Sequence, residues 1–190
     1  MSIIQGIISQ FEYYKLLGEK TFSQLEDGQL FIKLSPESNS IAIIVQHLHG
    51  NMLSRWTDFL NTDGEKEWRQ RDEEFEDVIQ NRSDMMIKWN EGWSCLFNAM
   101  ASIQSEDLQK IIFIRNIGLT VEDAISRQLA HYPYHIGQIV FIGKALKDTH
   151  WQNLSIAKKS SKAYNDEKFS DQKSVKDYTK DLAKELKDKL

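Results

Sequence analysis

Cysteine is all but missing: Cys95 stands alone in 190 residues. No intrachain disulfide can form, and nothing points to an oxidising compartment. Flanked by Trp93 and Leu96-Phe97, the thiol reads as a small buried group rather than a redox centre. Proline occurs twice and glycine nine times, too seldom for the turn-rich grammar of an all-β chain. Long apolar runs are absent too. Gln5, Ser9 and Gln10 interrupt the N-terminal isoleucines, so the sequence offers neither a leader nor a span of about 18 apolar residues. A soluble, cytoplasmic protein with no membrane partner is expected.

Excess positive charge is missing from the body of the chain. Residues 158–190 carry ten of the 24 basic and seven of the 28 acidic residues, which leaves 1–157 with 14 against 21, a net −7. An acidic body argues against nucleic acid as the partner.

What the chain does have is apolar spacing at three and four. Ile4, Ile7, Ile8, Phe11 and Tyr14 predict a helix over about 2–25; Ile41, Ile44, Val45, Leu48, Met52, Trp56 and Phe59 predict a second over 41–60. Met86, Trp89, Trp93, Leu96, Phe97 and Met100 mark a third over 83–103, its aromatics read as core. Thr120-Val-Glu-Asp123 opens a fourth that extends to about Lys147, with Pro133 inside it expected to kink the helix. Lys110 to Asn116 is β-branched and ends in turn residues, so it reads as a strand or a hairpin arm. The fold class is all-α. The polar connection 61–81 is long enough to carry the chain back along a bundle, letting the next helix run parallel to the last. Past residue 157 the composition turns to Lys, Ser and Asp. Residues 1–157 form the domain, and 158–190 read as a charged linker with an amphipathic helix at its end, where Tyr178, Leu182 and Leu186 recur every four.

His131 and His135 are four apart in the fourth helix, so both rings leave one face. Such a pair offers two sites of a transition-metal centre and needs a third ligand from elsewhere. His47 and His49 both lie in the second helix but about 200° apart on the wheel, so only one can face the pair. A straight-helix wheel puts His49 nearer the centre of the apolar stripe; His47, like His131 and His135, sits on the flank. His150 has no partner spacing.

Asn39-Ser-Ile-Ala-Ile-Ile-Val-Gln-His47, Gly50 to Leu60, Asp63-Gly-Glu-Lys66, Trp68-Arg69 and Arg127 to Gly143, in that order and at these separations, resemble the DinB/YfiT-like four-helix-bundle metalloenzymes, and within them a branch of uncharacterised bacterial proteins. The resemblance covers about residues 1–155. It implies an up-down-down-up bundle with a long crossover between helices two and three, and a divalent metal, Zn or Ni, held by His47, His131 and His135. It selects His47 against the wheel. It also implies a metal-dependent enzyme of thiol-transferase or hydrolase type acting on a small molecule, with a thiol as the candidate that related proteins suggest. Asn51 and Gln138, each one turn from a ligand, either orient substrate or water or are plain polar flank residues. The alternative is a non-enzymatic metal-binding or protein-interaction bundle, which a fourth protein ligand would favour. A homodimer stays open.

Overall fold

The computed structural model describes residues 2–188. The chain is mostly helical, with one small hairpin: α1 Ile3–Phe22, α2 Ile41–Trp56, α3 Arg82–Ser102, β1 Ile111–Ile114, β2 Ile117–Thr120, α4 Val121–Lys147, α5 Ser161–Ser170 and α6 Tyr178–Asp188. Each long helix starts where a short polar side chain can take an orphan amide. Ser2 and Gln5 form a reciprocal capping box on α1. The Ser40 hydroxyl accepts from Ile43 N, the Asn81 carboxamide from Asp84 N and the Thr120 hydroxyl from Asp123 N. No helix among the described residues is long and apolar enough to cross a membrane.

Packing follows the apolar faces. α2 lies along α3 and α1 along α4, with further contacts from α2 to α4 and from α1 to α3. Between them Phe11, Phe22, Trp89, Trp93 and Tyr132 are buried and meet mostly edge to face, with Trp89 and Trp93 rings 5.4 Å apart. Burial of rings of this size dominates core energetics. The aromatic stripe of the third helix is therefore core, as its spacing predicts.

Two helix ends and the tail differ from the sequence expectation. α1 ends at Phe22 and α2 at Trp56 rather than Leu60. Asp58 takes a positive φ of 45°, and its carbonyl accepts from both Asn61 N and Thr62 N at 3.1 Å. This reversal turns Phe59 back onto Trp56, ring centroids 5.4 Å apart, so burial of one aromatic outweighs four more residues of helix. The segment expected as a linker contains α5, and α6 lies against α1. Leu186 is buried, the Ser9 hydroxyl donates to Asp177 at 2.8 Å, and Lys168 pairs with Glu185 at 2.6 Å. A tail that composition marks as solvated thus gains an apolar seat from its four-residue Leu spacing, which composition does not register.

The β-branched run is one arm of an antiparallel hairpin, with Ile111 opposite Thr120 and Ile114 opposite Ile117. Its two central residues, Arg115 and Asn116, both have positive φ, as a primed two-residue turn requires. The Asp63 carboxylate accepts from both of their amides, at 2.8 and 2.9 Å, and Gly64 N donates to Phe113 O. The start of the long connection is thereby tied to the hairpin.

Candidate metal centre

α4 runs unbroken through Pro133 and carries His131 and His135 on one face. Across from them α2 presents His47, 5% exposed. The three imidazoles converge through the same atom: His131 Nε2 lies 3.1 Å from His135 Nε2 and 3.4 Å from His47 Nε2, and the potential ligand atoms of all three fall within 4.8 Å of one another. Among the described residues no carboxylate or thiol joins the group.

The opposite ring nitrogens are all taken by oxygen. His47 Nδ1–H donates to Glu74 Oε2 at 2.9 Å, His131 Nδ1–H to Gln128 Oε1 at 3.1 Å, and His135 Nδ1–H to Gln138 Oε1 at 2.9 Å. Such partners hold the proton on Nδ1 and leave the Nε2 lone pair free for a metal. Three lone pairs facing one another at this range repel unless a cation lies among them. Two nitrogens each about 2.0–2.1 Å from a tetrahedral ion would stand about 3.3 Å apart, close to the separations found here. The residues present fit a divalent ion.

The carboxylate behind His47 is itself clamped. Arg69 Nε donates to Glu74 Oε1 at 2.7 Å and Arg69 Nη2 to Glu74 Oε2 at 3.0 Å, a two-point fork. Arg69 also meets Glu65, which pairs with Arg55 at 3.2 Å and Arg115 at 3.0 Å. Burial alone would raise Glu74, but the hydrogen bonds from His47 and Arg69 outweigh it and hold the carboxyl below its ordinary range. Gly50, one turn beyond His47, makes the room: a Cβ there would overlap the Glu74 carboxylate. Phe75 stacks on the His47 ring with centroids 4.9 Å apart. Residues 65–75, read from sequence as a polar connection, thus supply one wall of the site, ending in a 3₁₀ turn at Asp72–Phe75.

The wheel's lean to His49 is corrected. His49 Nε2 bonds Glu91 Oε2 at 2.8 Å, away from the three. Residues 41–48 of α2 are buried on every side, because the 3₁₀ turn and α4 cover the flank that α3 does not. An apolar stripe cannot mark the inward face of such a helix. His150 is exposed beside Thr149. Asn51 is buried and lines the cavity over the histidines; the Tyr132 hydroxyl, which accepts from Trp56 Nε1, donates to its Oδ1 at 3.2 Å. Gln138 spends its oxygen on His135 and lines an adjoining cavity of about 520 Å³ that shares Tyr134. Gln128 does for His131 what Gln138 does for His135. Its place three residues before the ligand was the one signal available for it. Cys95 is half-buried against Thr57 and Met52 O, and burial raises its pKa; it takes no part.

Burial first, then the neighbouring imidazoles, then Arg127 and Arg55, push His131 from 6.5 down to about 3; burial pushes His135 to about 4 against the raising effect of its hydrogen bond to Gln138. Both are neutral at pH 7, as ligands must be. Because these folded values lie below the unfolded one, the unfolded chain binds more protons on acidification. The histidines' share of stability is complete above about pH 6.5 and is lost as pH falls through about 4 to 3. The melting temperature of chelator-treated protein should therefore decline from pH 6.5 to 4, and less steeply in a His131→Ala/His135→Ala variant. Parallel declines in the two proteins would remove these groups as the cause.

Fold and site together define a helical protein with a three-histidine group able to hold a metal ion. The chain belongs to a family of proteins of unknown function, DUF1572, whose profile matches residues 1–160. No curated protein and no solved structure matches it.

Proposed function

We propose that the protein is a DinB-like metalloenzyme: an up-down-down-up bundle of the four long helices in which His47, His131 and His135 hold one divalent transition ion, Zn or Ni, with a fourth position left for a small-molecule ligand. The observation that carries the reading is the convergence of three Nε2 atoms whose Nδ1 partners are all oxygen. Support for an open rather than closed centre comes from the cavity of about 590 Å³ lined by the same three histidines, with no further acidic or thiol ligand among the described residues. Structural zinc sites are closed by four protein ligands, catalytic ones keep a position free.

A bound ion would supply Lewis acidity to whatever enters that position. The chain's own residues do the rest. Glu74, Gln128 and Gln138 keep the three rings in register, and Arg69 keeps Glu74 ionised. Asn51, its oxygen committed to Tyr132, has its NH₂ left to donate to a ligand in the cavity. A thiol-transferase or hydrolase reaction suits three neutral ligands, which leave the ion's charge uncompensated.

Cobalt substitution tests the reading. Added thiol should change the ligand-field bands of the Co²⁺ form as sulfur enters the fourth position, more readily at higher pH because thiolate is the binding form. A closed four-coordinate spectrum that saturating thiol leaves unaltered would favour the non-enzymatic alternative.

A further inference from the structure

The cavity above the histidines is lined by Arg55, Arg69, Arg71, Arg115 and Arg127 and by no carboxylate, in a chain whose net charge is −4. Three of the five are spoken for. Arg55, Arg69 and Arg115 share Glu65 and Glu74. Arg71 and Arg127 are different: both are exposed, and neither guanidinium has an ion pair or hydrogen bond among the described residues. Arg71 is instead placed by an aromatic ring, its guanidinium 5.3 Å from the centroid of Phe75, which stacks on His47. Arg127 stands one helical turn before His131. Two unpaired guanidinium groups therefore border a concave site whose other cations are only part-neutralised.

We propose that this cavity takes a small organic anion, whose carboxylate or phosphate group is held by Arg71 and Arg127 while its other end reaches the histidine centre. The planar fork of Arg matches both oxyanions, and two such forks on one rim can grip a single anionic group together. The size of the cavity suits a metabolite rather than a polymer, within the range usual for small-ligand sites. The class of substrate rests on the metal-centre reading; the anion grip does not, since both arginines stand independently of the ion.

Calorimetric titration separates the two. Inorganic phosphate in one series and succinate in the other are titrated into wild type, Arg71→Gln, Arg127→Gln and the double variant. Each protein is used metal-free and zinc-loaded, with metal content measured separately. Both positions are exposed, so the variants should fold. Wild type should bind at least one anion saturably in both forms, and preference between the series tells phosphate from carboxylate. Each single substitution should weaken binding by about ten-fold or more, the loss expected for a hydrogen bond to a charged group, with metal content unchanged. Rising salt should weaken binding as well. Two results would overturn the proposal: no saturable binding in the metal-free form, whether or not the zinc-loaded form binds, or equal affinity in wild type and double variant. Failure of the protein to retain zinc would sink the metal-centre reading alone, because the metal-free titrations still report on the arginines.

Discussion

Alanine at any one of His47, His131 or His135 should take the protein from about one metal ion per chain to almost none, while His49→Ala and His150→Ala retain it. The reason is geometric. Two imidazoles on α4 and one on α2 are the whole protein donor set among the described residues, so losing one leaves a pair that competes poorly with water and buffer. His49 is occupied by Glu91 and His150 is exposed, so neither can substitute. Glu74→Gln should have a smaller but measurable effect, about 10–100-fold in metal affinity, because outer partners fix the ring and raise its basicity. Metal analysis of untagged protein together with circular dichroism reads both quantities. Helix content should persist in every variant, since a core of this size folds without the ion. Loss of metal in His49→Ala with retention in His47→Ala would mean that the site has been placed on the wrong face of α2.

Arg69→Ala is expected to be the most damaging single change outside the core, lowering stability by about 3–5 kcal/mol and the melting temperature by about 10 °C at this chain length. The Arg69 side chain is 2% exposed and that of Glu74 is 7%, so the pair cannot be rescued by water when one member goes. Removing the cation leaves a buried carboxylate with only His47 against it, and that carboxyl should rise towards protonation. Once protonated, Glu74 no longer accepts from His47 Nδ1–H in the same way, and metal affinity should fall with stability. The double variant Arg69→Met/Glu74→Gln removes both charges together and should be more stable than Arg69→Ala, because no unpaired ion remains. Thermal melts of metal-free protein give the comparison without interference from the ion. A shift below about 3 °C for Arg69→Ala would show that residues 65–75 lie over the bundle without securing it.

Two layers of this protein differ in how far the chain announces them. Helices, their polar caps and the hairpin are near-local properties: Ser40, Asn81 and Thr120 sit where short side chains can take orphan amides, and the apolar periods place each helix core within a few residues. The same holds for His131 and His135, whose common face follows from 3.6 residues per turn. The spacing of Leu182 and Leu186 was visible too, though composition argued for a solvated tail, and only contact with α1 shows where that edge goes.

By itself, then, the sequence determined the helical class, the paired histidines and the need for a third ligand. The resemblance had already selected His47 where helix geometry could not; tertiary structure decided which oxygen holds each ring and which arginines border the cavity. His47 meets its acceptor 27 residues away and His131 84 away; no periodicity reaches across such distances. A helix buried on all sides, as α2 is over residues 41–48, has no polar face from which its inward side can be read. What settles the matter is where the connection between α2 and α3 comes to rest, and that depends on Asp63 holding the hairpin turn and on Arg69 finding two carboxylates. Each of those partners is unremarkable in the chain and acquires its role only when folding brings residues tens of positions apart together.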